Sequence, residues 1–437
     1  MRILIFCLSF FIFSNSNAQT ITWEDLATMP EKVTNNSVTS ATVGGVPYVY
    51  SFSGIDSTKA CGNAHLKSFR YNTASDQWET IAPLPDPMGG KIAAGASTVK
   101  NKIYIIGGYH VANNCSEASS KKVHIYDPEM NQYLADGADI PKAIDDHIQA
   151  VWRDSLIFVV TGWSNSNNVT NVQIYNPSSD EWMVGTSIPS NSQWRVFGGS
   201  GTIIGDTLYY AGGAGNWNGS TFPSSTILRK GYINPSDPTD IEWTELNEPL
   251  SIGYRMGASD YNGSAIWFGG SNVTYNFDGI AYNGSGGVPP LDRVKIHNPF
   301  TGALSEFFGF IPKIMDLRGV AKITDNQFII SGGMLENQEV TNQSFLITID
   351  DLSSLNAIKE PALKVFPNPF QNYLIIAKEG HFDIEIYNSM GQRLMNKTEK
   401  GFEEIDFKNL ANGIYWLAIF HKKEKIGFQK IVKIDHQ

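Results

Sequence analysis

The chain has 437 residues, of which 42% are hydrophobic and 12% aromatic, with 40 glycines, 17% charged residues and a formal net charge of −10. The hydrophobic content excludes a disordered chain, and the acidic balance argues against a nucleic-acid partner, because binding phosphates needs a basic surface. Few charges with many glycines and aromatics are typical of strands and tight turns, and they disfavour helical bundles and coiled coils. The three cysteines are too few for a disulfide-rich scaffold.

Residues 1–18 have the pattern of a secretory signal peptide. Arg2 precedes an apolar run from Ile3 to Phe13, and a short polar segment then ends at Ala18. The run is shorter than the roughly 20 apolar residues that span a membrane, and no later stretch of the sequence is long and apolar enough to do so. We therefore predict Sec-dependent export to the periplasm, cleavage after Ala18 and no membrane-spanning segment. A buried N-terminal strand is the alternative.

An apolar run that ends in glycine recurs six times along most of the remaining chain. Its final glycines are Gly54, Gly108, Gly162, Gly213, Gly270 and Gly333. A short alternating strand with an Asn or Asp turn usually follows, and four copies then carry an aromatic residue: Trp78, Tyr133, Trp182 and Trp243. Each unit of about 55 residues holds short strands that cannot bury both faces alone, so neighbouring units are expected to stack.

This pattern resembles the kelch repeat over about residues 21–350. The resemblance implies that each repeat is one four-stranded blade of a β-propeller. The sixth copy lacks its own tryptophan, whereas Trp23 precedes Pro30 by the same seven residues that separate Trp78 from Pro85. We therefore predict an all-β chain with a six-bladed propeller over residues 19–350 that is closed by the N-terminal strand. Five blades with a separate tail is the alternative.

The kelch pattern ends near Asp350, and a different domain follows. Residues 351–362 are predicted as a linker, and short alternating strands predict a small immunoglobulin-like β-sandwich over residues 363–437. Its ordered motifs use Pro367, Asn368, Pro369, Gly391, Gln392, Gly413, Tyr415, Lys430 and Lys433. They resemble the type A C-terminal sorting domain of the type IX secretion system. The resemblance implies a Bacteroidetes-like source, the type IX machinery as a partner, and a mature protein that is extracellular or on the outer cell surface. An ordinary binding sandwich is the alternative.

Polar residues are predicted at one opening of the propeller axis, where the innermost strands begin. Reading 15 to 18 residues back from each final glycine selects Asn36, Lys91, His147, Arg195, Arg255 and Arg318, with Asp146 beside them. A ring of basic side chains there would clamp a carboxylate or sulfate, because the guanidinium group is a planar bidentate fork. The alternative is that these side chains only tie neighbouring blades together by hydrogen bonds.

Aromatic residues stand in and near long loops that follow the glycine doublets. Trp217 lies in the loop of the fourth repeat, Tyr275 and Tyr282 lie in that of the fifth, and Trp163 follows Gly162 directly. Exposed aromatics with adaptable polar neighbours suit a carbohydrate ligand. The alternative is that such loops simply pack on themselves.

Cys61 and Cys115 each lie seven residues past the final glycine of their repeat. They therefore occupy equivalent places in neighbouring blades, and an oxidising extracellular setting permits a disulfide. We predict a bridge between blades one and two.

Catalytic signatures are mostly missing from the sequence. It holds no His-Glu-x-x-His, Gly-x-Ser-x-Gly or P-loop motif and no zinc-spaced cysteines and histidines, so no metal or cofactor is predicted. The leading hypothesis is a non-enzymatic module that binds a glycan or protein ligand. The alternative is an isomerase, a sialic-acid-like mutarotase or epimerase, which only the resemblance to other six-bladed kelch proteins implies; it would use Arg195 or His147.

Overall fold

Six antiparallel sheets of four or five strands, and one two-stranded hairpin, lie along residues 19–351 in the computed structural model. The structure describes residues 19–351, 365–377, 380–388, 393–401, 403–421 and 424–434. The predicted signal peptide, most of the predicted linker, Gly391 and Gln392 lie outside these residues.

Each blade is built on four strands, to which blade two adds a short fifth strand and blade three a small hairpin. The first strand of the chain is far in sequence from the sheet that it joins. The first strand is β1 (Gln19–Leu26). Blade one holds β2 (Ser37–Val43), β3 (Val46–Ile55), β4 (Ala64–Asn72) and β5 (Gln77–Ile81). Blade two holds β6 (Ile92–Val99), β7 (Lys102–Val111), β8 (Glu117–Ser119), β9 (Val123–Asp127) and β10 (Gln132–Tyr133). Blade three holds β11 (Ile148–Trp152), β12 (Leu156–Val160), the small hairpin of β13 (Trp163–Ser164) and β14 (Asn167–Asn168), β15 (Val172–Asn176) and β16 (Glu181–Val184).

The second half of the ring repeats the arrangement. Blade four holds β17 (Phe197–Ile204), β18 (Thr207–Ala214), β19 (Ile227–Asn234) and β20 (Asp237–Asn247), which a 3-10 turn (Pro249–Ser251) follows. Blade five holds β21 (Gly257–Tyr261), β22 (Ser264–Phe268), β23 (Arg293–His297) and β24 (Leu304–Phe308). Blade six holds β25 (Ala321–Lys322), β26 (Gln327–Ser331), a 3-10 turn (Glu336–Gln338) and β27 (Ser344–Asp351).

The N-terminal strand closes the ring, as predicted. β1 pairs antiparallel with β27 from Gln19 opposite Asp351 to Leu26 opposite Ser344, so the sixth sheet has the order β1-β27-β26-β25. Trp23 stands opposite Ile347 in this ladder. The six-bladed fold with its non-covalent clasp is therefore confirmed.

A buried hydrophobic cluster fills each of the six interfaces between neighbouring blades. Tyr50 of blade one lies 5.5 Å from Tyr126 of blade two, and Phe268 of blade five lies 5.2 Å from Phe328 of blade six. Each fully buried large side chain contributes about 1.5–3 kcal/mol. The alternating apolar residues on both faces of each sheet thus hold the ring together, and the first strands of the blades are left to line the axis.

The final glycines of the repeats connect each blade to the next. Their N–H groups donate to backbone carbonyls at 2.7–3.1 Å, pairing Gly54 with Lys91, Gly108 with Ile144, Gly162 with Val196, Gly213 with Gly253, Gly270 with Ile314 and Gly333 with Val33. A Cβ atom on Gly212 would lie 2.0 Å from the carbonyl oxygen of Gly253, and Gly212 has a φ of +64°. The doublet is needed because two backbones approach this closely in a left-handed conformation.

The C-terminal domain is a sandwich of two sheets. Its strands are β28 (Val365–Phe366), β29 (Tyr373–Ile376), β30 (His381–Tyr387), β31 (Arg393–Lys400), β32 (Ile405–Asp406), β33 (Gly413–His421) and β34 (Glu424–Lys433). The sheets have the orders β28-β29-β32 and β31-β30-β33-β34, with Leu374, Ile384 and Ile431 in the shared core.

Several residues of the sorting motif bind the ends of this domain together. Asn368, between Pro367 and Pro369, donates from Nδ2 to the carbonyl of Lys430 at 2.8 Å and accepts from the N–H of Val432 at 2.9 Å. The buried Lys433 ammonium donates to the carbonyls of Phe407 and Lys408, both at 3.1 Å. Tyr415, two residues into the strand that Gly413 begins, donates to the carbonyl of Ala411 at 2.8 Å. These motif residues therefore have structural partners within the domain.

Candidate functional site

One residue of each blade adopts a left-handed backbone where the innermost strand begins. These residues are Asn35, Ala93, Asp146, Gly198, Arg255 and Asp316, with φ values between 47° and 65°. Their peptide groups are joined from blade to blade: Asp146 N–H donates to Ala93 at 3.1 Å, and Arg255 N–H donates to Gly198 at 2.8 Å. The conformation costs about 1–3 kcal/mol for residues other than glycine, and such strain clusters at functional sites. We call this end of the propeller the loop face.

Three side chains of this backbone ring meet across the axis. Arg255 of blade five donates to Asp146 of blade three, with Nη2–Oδ2 2.7 Å and Nε–Oδ1 3.2 Å, and to Asp316 of blade six, with Nη1–Oδ1 2.8 Å. Blades three and six lie opposite each other in a ring of six, so the guanidinium that bridges them crosses the axis. Thr34 donates to Asp316 as well, at 2.6 Å. All three charged residues are buried.

The charges of this cluster are largely satisfied within the protein. Burial opposes the charge of Arg255, but Asp146 and the other anions outweigh it and hold the pKa of Arg255 well above its ordinary value. Burial raises the pKa of Asp316, and Arg255 offsets part of that rise. Arg318 lies 3.4 Å from Asp146 and donates to the carbonyl of His147 at 2.9 Å. The guanidinium of Arg255 is therefore not free to clamp a ligand carboxylate.

A pocket of about 200 Å³ opens on the loop face between blades two and five. We call it the loop-face pocket. Its aromatic walls are Tyr109, Trp163, Phe197, Phe222 and Tyr282, and its polar groups are Glu117, Asp145, Asp146, Arg255 and Asn276. Three carboxyl groups thus line the pocket beside a single basic side chain.

The aromatic rings of the pocket interlock edge to face. Phe197 lies 5.5 Å from Trp163 and 5.2 Å from Phe222, with interplanar angles of 63° and 89°. Phe222 in turn lies 4.9 Å from Tyr282. Since the edge of one ring points at the face of the next, the rings stand at steep angles and make a walled cleft and not a flat platform.

Asp145 is buried in the wall of this pocket, and its backbone position is fixed. Its N–H and carbonyl both pair with Trp163 at 2.9 Å, and its Oδ2 accepts from the Ser119 hydroxyl at 2.5 Å. Burial, with the negative charge of Asp146 adding to it, raises the pKa of Asp145 well above its ordinary value. Among the described residues, no basic side chain lies within ion-pair distance of Asp145. Glu117 stands exposed at the rim.

The long loop of blade five, residues 269–292, crosses the loop face. Thr274 donates to the carbonyl of Phe222 at 2.6 Å and so joins the loop to blade four. Gln338 of blade six donates to the carbonyl of Val288 at 3.0 Å. At the far side Phe277 packs in the cluster that holds Tyr109 of blade two. The loop is therefore anchored on several blades and partly roofs the pocket.

A second cavity of about 260 Å³ lies along the axis and is lined by the first strands of all six blades. We call it the axial channel. His147 and Arg318 line it, and His147 shares a 2.9 Å hydrogen bond with Gln149. Burial, with the nearby charge of Arg318 adding to it, lowers the pKa of His147 to about 4, so its imidazole is neutral at pH 7.

The sequence-predicted site residues are divided between these places. The loop-face pocket brings together Asp146, Arg255, Trp163 and Tyr282, and the axial channel holds His147 and Arg318. Neither cavity is lined by Asn36, Lys91, Arg195, Trp217 or Tyr275.

The predicted ring of free basic side chains is not formed. Lys91 is completely buried between blades and pairs with Asp86 at 3.1 Å. Asn36 donates to Ser51 at 2.8 Å and to the carbonyl of Ser331 in blade six at 3.2 Å, which ties blades together. Arg195 lines neither cavity; its carbonyl accepts from Asn168 at 3.2 Å.

Two aromatic residues that were predicted to contact a ligand do not line the pocket. Tyr275 is fully buried with its ring 5.0 Å from Tyr254, so it packs inside the loop and does not face a ligand. Trp217 is 52% exposed but stands outside the pocket, against the edge of Phe222 at 5.2 Å.

The physical reason for the error is the variable length of the first hairpin. Asn35 precedes Gly54 by 19 residues, whereas Ala93 precedes Gly108 by 15. Counting back a nearly fixed number of residues from each final glycine therefore sometimes selects a neighbour of the left-handed residue instead of that residue. The side chains of these neighbours lie in the interfaces between blades. Tyr109 was also missed, although it follows its final glycine as Trp163 does.

The structure joins Cys61 and Cys115 in a disulfide between blades one and two. Their Cα atoms are 5.1 Å apart, and 54 residues separate them in the chain. The bridge links two loops on the loop face.

Two classes of feature are absent from the residues that the structure describes. Within the part of the chain that the structure describes, no helix has the length and apolarity needed to cross a membrane. Across the same described ranges, His, Cys, Asp and Glu side chains form no group of three or more that could hold a metal ion.

Known families match both parts of the chain. Residues 7–213 match the KLHDC2/KLHL20/DRC7 kelch-repeats domain, and residues 364–434 match the secretion system C-terminal sorting domain. The chain therefore contains kelch repeats and a type IX C-terminal sorting domain. The sorting domain indicates that the type IX machinery exports the protein. It also indicates a location at the cell surface or in the extracellular space.

Relatives with kelch repeats are similar over shorter stretches. The kelch-like protein terF of Aspergillus terreus is 24% identical over 263 residues, 59% of this chain and 54% of that protein. Kelch-like protein 26 of Danio rerio is 29% identical over 122 residues, 28% of this chain and 19% of that protein. The chain therefore spans about half of the first relative and a fifth of the second.

A solved structure shares the fold. The structure titled YjhT has a TM-score of 0.55 at 14% sequence identity, and the match covers 74% of this chain and 99% of YjhT. At this identity the likeness concerns the propeller architecture alone.

Proposed function

We propose that the protein is a non-catalytic binding module that takes a protruding side chain of a protein ligand into the loop-face pocket. Of the two ligand classes that the sequence left open, protein and glycan, the pocket favours the protein. The sorting domain places such a module where it meets ligands outside the cell.

The observation that carries this proposal is the walled shape of the pocket. Sugars stack on flat, exposed ring faces, whereas Phe197, Phe222 and Tyr282 present interlocked rings around about 200 Å³. A cleft of that size accepts one side chain, and protein interfaces concentrate their binding energy in such anchor pockets. The loop of blade five, fixed on its neighbours, keeps the cleft formed before the ligand arrives.

A displayed random-peptide library tests the proposal with the full chain as bait. We expect enriched peptides that bind the native protein and bind the Phe222→Ala variant at least tenfold more weakly. Phe308→Ala is the matched control, because Phe308 is half exposed on the outer strand of blade five. Thermal melts establish that both variants fold. If peptides fail to enrich, and a glycan array instead yields saccharides whose binding depends on Phe222, the protein ligand is wrong.

One observation favours the isomerase as a second candidate. Asp145, whose pKa burial raises, stands beside Asp146, which accepts two hydrogen bonds from Arg255. Two neighbouring carboxyl groups in different environments are an arrangement that general acid–base catalysis uses. Against it, Arg255 is already bound to two carboxylates and leaves no free guanidinium for a sugar acid.

Exchange NMR separates the two candidates. We expect the full chain to leave the anomer exchange rate of a sialic acid unchanged. Acceleration by the native protein that disappears in Asp145→Asn, but persists in the surface variant Asp139→Asn, would instead establish the isomerase.

A further inference from the structure

We infer that the group that enters the loop-face pocket is a cation, the ammonium or guanidinium of a lysine or arginine side chain on the protein ligand. This inference rests on the proposed function and adds the chemistry by which the pocket selects its ligand.

The first support is the charge inside the pocket. Glu117, Asp145 and Asp146 line it, against the single basic side chain of Arg255. Every nitrogen of that guanidinium is already engaged: Nε and Nη2 donate to Asp146, and Nη1 donates to Asp316. The pocket lining therefore holds more acidic than basic groups, and it offers no free guanidinium to a ligand carboxylate.

The second support is the burial of Asp145 without a cationic partner among the described residues. It is 3% exposed, lies in the pocket wall and receives the Ser119 hydrogen bond on Oδ2 alone among the described contacts. Ionising a buried carboxyl group without a cation is unfavourable, and a ligand cation beside Asp145 would supply the partner that its ionised form needs.

The third support is the aromatic wall. Cations are attracted to the faces of Trp, Tyr and Phe by about 0.5–2 kcal/mol, and the effect grows when water is excluded. Trp163, Phe222 and Tyr282 lie around the same cavity as the carboxyl groups. The methylene stem of lysine or arginine suits the apolar rings while its charged end reaches the acids, which no small inorganic cation does.

The experiment compares probes that differ in charge at nearly equal shape. The Nα-acetyl methylamides of lysine and arginine are titrated into the full chain beside those of norleucine and citrulline, with Trp fluorescence and calorimetry as readouts. We expect the cationic probes to bind at least tenfold more tightly than their uncharged counterparts. We expect Asp145→Asn to weaken the cationic probes about tenfold and to leave the uncharged ones unchanged.

Two further variants keep the result interpretable. Asp139→Asn is the matched control, because Asp139 is a half-exposed carboxylate that pairs with Lys122 at the surface. Glu117→Gln at the exposed rim is the second pocket variant, for the case that Asp145→Asn does not fold, and should weaken cationic probes severalfold at low salt.

The outcomes separate the inference from the function on which it rests. Equal binding of charged and uncharged probes, with library peptides still dependent on Phe222, overturns the cation and leaves the binding module standing. Glucosamine that binds more tightly than the lysine probe, in an Asp145-dependent manner, moves the cation to a glycan and overturns the protein ligand. Library peptides whose binding does not depend on Phe222 overturn the loop-face pocket as the binding site.

Discussion

The indole of Trp78 donates a hydrogen bond from Nε1 to the carbonyl oxygen of Ala27 at 3.0 Å. Ala27 directly follows β1, the strand that closes the ring, while Trp78 lies on the outer strand of blade one. Asp76 accepts from the N–H of the same alanine at 2.8 Å. The clasp is thus fastened by the ladder to β27 on one side and by blade one on the other.

Replacing Trp78 with phenylalanine should loosen this fastening. The Ala27 carbonyl loses its partner, so we expect a loss of about 1 kcal/mol in the free energy of unfolding. Trp182→Phe is the matched control, since Trp182 donates to Ala138 at 2.8 Å away from the clasp. Both variants should lose similar stability in urea, but only Trp78→Phe should speed proteolysis near Leu26. Equal cleavage in the two variants would contradict the role of Trp78 at the clasp.

The disulfide between Cys61 and Cys115 should stabilise the fold measurably. It closes a loop of 54 residues, and such bridges contribute about 2–4 kcal/mol, mainly by restricting the unfolded chain. We expect a reductant to lower the urea midpoint of the native protein and to leave the Cys61→Ser, Cys115→Ser double variant unaffected. Peptide mapping that finds both thiols free would remove this prediction.

Arg255→Met should destabilise the propeller strongly. It leaves the carboxyl groups of Asp146 and Asp316 buried without their shared cation, which costs about 3–5 kcal/mol when one partner of a buried ion pair is removed. Lys322→Met is the control, because Lys322 pairs with Asp260 in a partly exposed bridge worth less than about 1 kcal/mol. The loss in Arg255→Met should shrink at lower pH, as the orphaned carboxyl groups take up protons. A loss that does not exceed that of the control would contradict the cluster.

Asp145→Asn should change how stability depends on pH. The raised pKa means that the folded protein binds this proton more tightly than the unfolded chain, so its contribution to stability falls as the pH rises above the ordinary value of 3.8. Asparagine can keep the Ser119 hydrogen bond and does not titrate. The variant should therefore gain stability relative to the native protein as the pH rises from acid toward neutral.

Chemical denaturation at a series of pH values measures this difference. The charged groups that act on Asp145, namely Asp146, Glu117 and Arg318, are present in both proteins, so their own titration largely cancels. A stability difference that stays constant with pH would show that Asp145 titrates normally.

The fold was predictable because its signals repeat. The glycine doublets, the Asn or Asp turns and the spacing of Trp23 and Pro30 stand in a periodic sequence, so each copy supports the others. The pocket has no such redundancy. Phe222 and Asn276 come from loops that occur once each, and their positions depend on contacts such as that of Thr274 with Phe222. Arg255 and Asp146 were both found from the repeat, but the sequence did not show that they pair across the axis, because that pairing depends on left-handed backbones at Asp146, Arg255 and Asp316.

The ladder between β1 and β27 also joins the two ends of the propeller segment. Trp23 pairs with Ile347 across all the intervening blades in sequence. The entropy of closing so long a loop grows only slowly with its length, but pairings this distant in sequence delay the end of folding. Until they form, blade six has one strand too few and an open edge ready to pair with another chain. A propeller chain cut short before Ser344 therefore lacks the strand that pairs with β1 and completes the ring.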